Sequence, residues 1–97
     1  MRPCPSIVGG ARVVCYTPID QRHVKTGNTV HLTGRDETEG PRGLAICQYD
    51  DEDGYYLFSC DQEWQSLSDT WHQALDDAKD QAEFEYKGTS QSWIPAQ

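Results

Sequence analysis

"LAICQYDDEDGYYLFSC", residues 44–60, decides the fold. Its two ends, 44–50 and the run that starts at 55, are rich in aliphatic and aromatic residues, and Asp-Glu-Asp-Gly stands between them. Such runs around a polar, glycine-containing segment predict two antiparallel strands joined as a hairpin. A type I turn, with Gly54 in the left-handed conformation of a bulge, suits this loop.

The register of this hairpin stays open by one residue. A two-residue Asp-Gly turn would place Cys47 opposite Cys60. The bulged turn instead groups five side chains on one face: Leu44, Ile46, Tyr56, Phe58 and Cys60. Both faces carry apolar residues, so we expect both to be at least partly covered.

Beyond the hairpin the hydrophobic period changes from that of a strand to that of a helix. Residues 64–71 predict a third strand, and residues 74–86 predict a helix that ends before Gly88. Phe84 points away from the apolar face of this helix, so either the rest of the chain covers it or it belongs to an interface. The apolar face itself consists of Leu75, Ala78, Ala82 and Tyr86.

The residues before the helix have two interpretations. Thr70 and Gln73 have the spacing of a capping box, and Asp69 is a further candidate cap, which favours a helix start. The alternative is catalytic: Asp69 would steer His72 as a general base. That alternative needs a nucleophile within reach, and the candidates are Cys47, Cys60 and Ser68.

The N-terminal part is less regular. Residues 11–16 predict a strand, and residues 23–33 are compatible with a weak hairpin. Proline and glycine predict a flexible arm over 1–10 and a mobile loop over 34–43. Together the elements predict a single α+β domain over 1–97. Its antiparallel β-sheet is a three-strand meander plus an N-terminal strand or hairpin, and one C-terminal helix packs on one face.

The charge of the chain excludes two classes of partner. Its 97 residues include 16 acidic and 8 basic side chains, giving a formal net charge of −8. Nucleic-acid binding depends on lysine and arginine replacing counterions, so we predict no nucleic-acid partner. An anionic membrane would repel the chain in the same way, and no apolar stretch approaches the ~20 residues of a membrane span. With no signal peptide visible, a cytoplasmic location is expected.

No cofactor or metal site is predicted. No two of the four cysteines form a CxxC pair, no histidine and cysteine have zinc-site spacing, and the glycines match no phosphate-binding motif. In a reducing compartment the cysteines are expected to be free thiols, and within strands they act as small apolar residues. They are Cys4, Cys15, Cys47 and Cys60.

Residues 43–93 resemble a group of small bacterial proteins with no known activity. The shared pattern is "YDDEDGYYLFxCDxxW" followed by "DTWHxSLExAKxQAEFEYxGVSxxW". The resemblance implies a bacterial source and supports the strands followed by a helix. The serine before Leu-Glu in that pattern is Ala74 here. If that serine caps the helix, its loss costs about 1 kcal/mol unless Gln73 or Thr70 substitutes for it.

These features favour a small acidic, non-enzymatic protein-interaction domain, such as a regulator, an adaptor or an immunity-type binder. The alternative is a small hydrolase or transferase that uses His72 and Asp69 at the junction of sheet and helix. The partner is expected to be another protein, and a basic one fits the acidic C-terminal half. The predicted partner contacts are Tyr49, Asp50, Asp51, Glu52, Asp53, Tyr55, Phe84 and Trp93.

Overall fold

The structure of the chain is a computed structural model, which describes residues 2–26 and 41–96. The described part contains strands, one α-helix and one 3₁₀ turn. In chain order these are β1 (Ile7–Val8), β2 (Ala11–Pro18), β3 (Val24–Lys25), β4 (Gly43–Gln48), β5 (Tyr55–Cys60), β6 (Ser66–His72), α1 (Leu75–Glu85), β7 (Tyr86–Lys87), the 3₁₀ turn (Thr89–Gln91) and β8 (Ile94–Pro95).

The main sheet is antiparallel, with its strands in the order β1-β2-β4-β5-β6 and with β8 also paired to β2. β3 and β7 form a separate two-stranded ribbon. α1 lies on one face of the main sheet, against β4, β5 and β6. The predicted α+β class is confirmed. The expectation of a simple meander is corrected, because the sheet curls into a half-barrel.

The pairing of β4 with β5 corrects both predicted registers. Ala45 lies opposite Phe58, and Cys47 lies opposite Tyr56 rather than Cys60. The loop between the strands is longer than either predicted turn. Gly54 does not adopt the left-handed conformation that the bulged turn requires. The described glycines with a positive φ are Gly9, Gly10 and Gly88. The length of the loop sets the register of the hairpin, and the composition of the loop alone did not reveal that length.

This register gives the sheet two unlike faces. One, the helix-side face, buries Leu44, Ile46 and Leu57 against Ala78 and Ala82 of α1. The small alanines let the helix lie close to the sheet. The other, the arm-side face, is covered in part by the segment that contains β1. Its buried cluster consists of Val8, Ala11, Val13, Ala45, Cys47, Phe58, Cys60 and Trp64.

A bulge in β2 lets one strand serve both faces. Val13 pairs with Cys47, but Cys15 pairs with Ile46, so Val14 is the extra residue. Because a bulge shifts the alternation of side chains by one position, Val13 joins the arm-side cluster and Cys15 joins the helix-side cluster. Bulges also increase strand twist, which is consistent with the curl of the sheet.

Residues 2–10, for which the sequence predicts a flexible arm, lie against the arm-side face. The Trp64 indole N–H donates to the carbonyl of Arg2 at 2.7 Å. At the other end, the Tyr49 hydroxyl donates to the carbonyl of Gly9, also at 2.7 Å. Gly9 has φ 59°, and a Cβ there would lie 2.7 Å from the Phe58 ring, so glycine is needed at this close approach. Two side chains from the loops on either side of β5 thus hold the segment in place.

The other N-terminal predictions have mixed outcomes. The predicted strand over 11–16 is confirmed as part of β2. Within the predicted hairpin over 23–33, Val24–Lys25 pairs with Tyr86–Lys87 instead. The rest of that hairpin, and residues 34–40 of the predicted loop, lie outside the described residues. Residue 43, assigned to the same loop, begins β4.

The helix begins without the predicted cap. Its N-cap residue is Ala74, which has extended backbone angles (φ −134°, ψ 156°) and no side chain that accepts a hydrogen bond. Thr70 lies within β6 and contacts His72, so the predicted capping box is wrong. The strand runs two residues past Thr70, because pairing with β5 continues to His72. The first-turn amides therefore lack a side-chain partner at the cap position.

Ala74→Ser is expected to stabilise the protein by about 0.5–1.5 kcal/mol, because serine at an N-cap accepts a hydrogen bond from a first-turn amide. Urea unfolding followed by circular dichroism measures the change. Gln73→Ser, one residue earlier and exposed, is the matched control and is expected to change stability by less than about 0.5 kcal/mol. Equal effects of the two serines would contradict the assignment of Ala74 as the cap.

Candidate functional site

The predicted catalytic pair lies on opposite faces of the sheet. Asp69 is opposite Phe58 on the arm side, whereas His72 is opposite Tyr55 on the helix side. Successive side chains of a strand alternate between faces, so residues three positions apart point in opposite directions. Asp69 therefore does not steer His72, and that part of the hydrolase or transferase hypothesis is wrong.

His72 contacts a hydroxyl instead. Its Nε2 lies 2.7 Å from Thr70 Oγ1. Partial burial lowers the pKa of His72, and the carboxylates of Asp77 and Glu85 oppose that shift. Of the nucleophile candidates, the two thiols belong to the arm-side cluster and thus lie across the sheet from His72.

The thiols are confirmed as unpaired, and their surroundings suppress the reactive thiolate form. Burial raises the pKa of Cys4 to about 11 and that of Cys60 to about 12. Burial also raises the pKa of Cys47, and the neighbouring Cys60 adds to the shift. Cys47 and Cys60 therefore fill the core as neutral, apolar groups, as predicted.

These thiols are expected to make stability fall at alkaline pH. Each has a folded-state pKa above its unfolded value of 9.0, so the full stability is present below about pH 9. As pH rises further, the unfolded chain ionises first and the free energy of unfolding decreases. Cys60→Ala is expected to make the free energy of unfolding fall less steeply with pH, by up to about 1.4 kcal/mol per pH unit between pH 9 and pH 12. Urea midpoints across this range measure it, and an unchanged slope would contradict the prediction.

A buried polar network that the sequence did not suggest joins three parts of the chain. His23 Nε2 lies 2.8 Å from Ser92 Oγ, and Ser92 Oγ lies 2.8 Å from Thr17 Oγ1. His23 Nδ1 lies 3.5 Å from the Asp20 carboxylate. The His23 side chain is fully buried, and Thr17 and Ser92 are also buried. These residue types and distances are those of a Ser-His-Asp triad.

The directions of the hydrogen bonds exclude that chemistry. The backbone N–H of Asp20 donates to His23 Nδ1 at 3.1 Å, so in neutral imidazole the proton is on Nε2. Nε2 then donates to Ser92, whereas a serine nucleophile must donate to the histidine. Ser92 Oγ in turn donates to the carbonyl of Thr89 at 3.2 Å. Arg22 also holds the Asp20 carboxylate and lowers its pKa. The network fastens the segment after β2 to the 3₁₀ turn.

Ser92→Ala is expected to cost about 1–3 kcal/mol, because the buried His23 N–H loses its partner and the Thr17 hydroxyl keeps only the carbonyl of Pro18. Ser66→Ala removes the same atoms from an exposed strand position and serves as the control, with an expected change below about 0.5 kcal/mol. Chemical unfolding measures both variants. If they were equally destabilised, the network would have no special role in stability.

Within the described ranges 2–26 and 41–96, no group of three or more histidine, cysteine, aspartate or glutamate side chains could hold a metal ion. No described helix is long and apolar enough to cross a membrane.

The predicted partner contacts separate into core and surface positions. Tyr55 and Trp93 pack against the helix-side cluster, whereas Phe84 is 52% exposed. Tyr49 is partly buried and binds Gly9, as described above. The acidic residues at the tip of the β4–β5 hairpin are all exposed: Asp50, Asp51, Glu52 and Asp53.

Trp71 is an exposed aromatic residue that the sequence analysis did not select. It is 55% exposed and lies opposite Tyr56 in the β5–β6 pairing, on the arm side. Its indole lies directly on Gly54, where a Cβ would overlap the ring. Gly54 is thus needed for this contact and not for the turn. The sequence did contain an indication of this exposure. Asp69 and Trp71 are two positions apart in a strand, so the tryptophan lies on the same face as a charged residue.

Trp71 belongs to a surface that we call the aromatic–acidic face: Tyr49, Glu52, Tyr56, Asp69 and Trp71. The rings of Tyr49 and Tyr56 meet edge to face at 5.3 Å, and Tyr56 stacks on Phe58 at 6.0 Å. The Tyr56 hydroxyl donates to Glu52 at 3.2 Å. This surface occupies the part of the arm-side face that residues 2–10 leave open.

Comparison of the chain with protein-family models, curated proteins and solved structures finds no match in any of the three.

Proposed function

We propose that the protein is a non-enzymatic protein-interaction domain that binds its partner through the aromatic–acidic face. The observation that carries this proposal is the exposed Trp71, seated on Gly54 and beside Tyr56. A large aromatic side chain with a fixed position is the kind of residue that dominates binding energy at interfaces. The exposed acids of the hairpin tip form a polar rim beside it.

Two further observations favour a role as a regulator, adaptor or immunity-type binder over a role in catalysis. The buried thiols are protonated at neutral pH, and the Ser92–His23 hydrogen bond has the wrong direction for a nucleophile. Four unpaired thiols fit a reducing compartment, which supports our proposal of a bacterial cytoplasmic location. The net charge of −8 favours a basic partner.

Site-specific photo-cross-linking in cells that make the protein is the test of the binding surface. A cross-linker at Asp51, an exposed residue in the same β4–β5 loop as Gly54, is expected to capture one defined partner. The same cross-linker at Val24, which is 61% exposed on the β3–β7 ribbon, is expected not to capture it. Capture from both positions, or from neither, would contradict the proposed surface.

Trp71→Ala is expected to weaken binding of the identified, purified partner about 30-fold, because truncating a central interface aromatic costs about 2 kcal/mol. Val24→Ala, at an exposed apolar residue elsewhere, is the matched control and is expected to change the Kd less than about twofold. Calorimetric titration measures both, with circular dichroism as the check on folding. An unchanged Kd for Trp71→Ala would refute the proposal.

Gly54→Ala removes no aromatic side chain but is expected to weaken the same binding, because the added Cβ displaces the indole of Trp71. The double variant with Trp71→Ala is expected to bind no more weakly than Trp71→Ala alone. Such non-additivity is the mark of two residues that act through one contact. Fully additive losses would mean that Gly54 influences binding by another route.

A further inference from the structure

The aromatic–acidic face has two carboxylates close to one phenol. Tyr56 Oη lies 3.2 Å from Glu52 Oε1. Asp69 is opposite Phe58, which makes it the diagonal neighbour of Tyr56 on the same face. Burial and the negative charges of Glu52 and Asp69 raise the pKa of Tyr56, so the phenol remains neutral at physiological pH. Trp71 stands directly opposite Tyr56 and completes the arrangement.

The two carboxylates lack a cationic partner within the described part of the chain. The ion pairs found there involve Asp20 and Asp50, and neither includes Glu52 or Asp69. Arg12 lies 3.8 Å from Asp50, and both side chains are largely exposed. Among the described residues, the negative charge beside the exposed Trp71 ring thus has no cationic partner, and the net charge of the chain is −8.

We propose that Glu52, Asp69 and Trp71 form a subsite for an arginine side chain from a basic segment of the partner protein. This inference rests on the binding surface proposed above and specifies its chemistry. A guanidinium is planar, stacks on aromatic rings and donates paired hydrogen bonds to carboxylates. A lysine ammonium carries the same charge as a guanidinium but is not planar, so it does not stack on an aromatic ring in the same way. A nucleic acid would bring phosphates toward the carboxylates and be repelled.

The probe is a short peptide, acetyl-Gly-Arg-Gly-Arg-Gly-amide, titrated into the ¹⁵N-labelled 97-residue chain. We expect it to shift the indole N–H signal of Trp71 and the amide signals of Tyr56 and Asp69. The same peptide with citrulline, which keeps the shape and loses the charge, is expected to bind at least about fivefold more weakly, and a lysine peptide at least about twofold more weakly. Equal affinity for arginine and citrulline, or a preference for lysine, would overturn the proposal.

Variants that remove one negative charge distinguish a local arginine subsite from general attraction of the basic peptide by the net charge of the protein. Glu52→Gln and Asp69→Asn are each expected to weaken the arginine peptide about three- to tenfold. Asp76→Asn removes the same charge from the exposed first turn of α1 and is expected to change the Kd less than about twofold at fixed ionic strength. A loss with Asp76→Asn as large as with Asp69→Asn would show attraction by net charge alone, and the subsite would be refuted.

A dilution series without peptide tests the competing occupant, a second copy of this chain. Concentration-dependent movement of the Trp71 signal would mean that the face binds itself and would overturn the proposal. The proposed arginine subsite and the proposed binding surface can also fail independently of each other. If the arginine peptide fails while Trp71→Ala still disrupts the partner complex, only the arginine subsite is wrong. If both fail, the binding surface is wrong as well.

Discussion

The pairing of β5 with β4 on one side and with β6 on the other is the constraint on which the rest of the structure depends. It places Leu57 toward α1 and sends Tyr56, Phe58 and Cys60 to the opposite face. A slip of one residue would exchange these sets and put tyrosine and phenylalanine under the alanines of the helix. Both hydrophobic clusters, and the exposed position of Trp71, follow from this single register.

The two faces of the sheet are covered by very different means. The helix-side face has an eleven-residue helix that approaches closely through Ala78 and Ala82. Among the described residues, the arm-side face is covered by residues 2–10, held by the indole of Trp64 and the hydroxyl of Tyr49, and by Ala96. This cover leaves Trp71 and Asp69 of β6 exposed. The incomplete cover is the physical origin of the proposed binding surface.

The buried network around Ser92 shows why distances alone do not establish catalysis. Its oxygen-to-nitrogen spacing matches that of a nucleophile and its base, but a backbone N–H occupies His23 Nδ1 and reverses the proton order. The hydroxyls then satisfy one another and nearby carbonyls, which is what burial of polar groups requires. The network stabilises the junction between the end of β2 and the 3₁₀ turn, where apolar contacts alone would not specify the path of the chain.

The sequence by itself determined the features that depend on local periodicity. Strand and helix runs, the alanine stripe of α1 and the unreactive thiols were all predictable, because each follows from the spacing or type of neighbouring residues. The helix cap was not predicted in this way, because the predicted capping box at Thr70 is wrong and Ala74 holds the cap position. Only the tertiary structure decided the hairpin register, since loop path and contacts with distant segments select it. The same non-local contacts put Trp71 on Gly54, separated Asp69 from His72 and joined His23 to Ser92 across 69 positions of the chain.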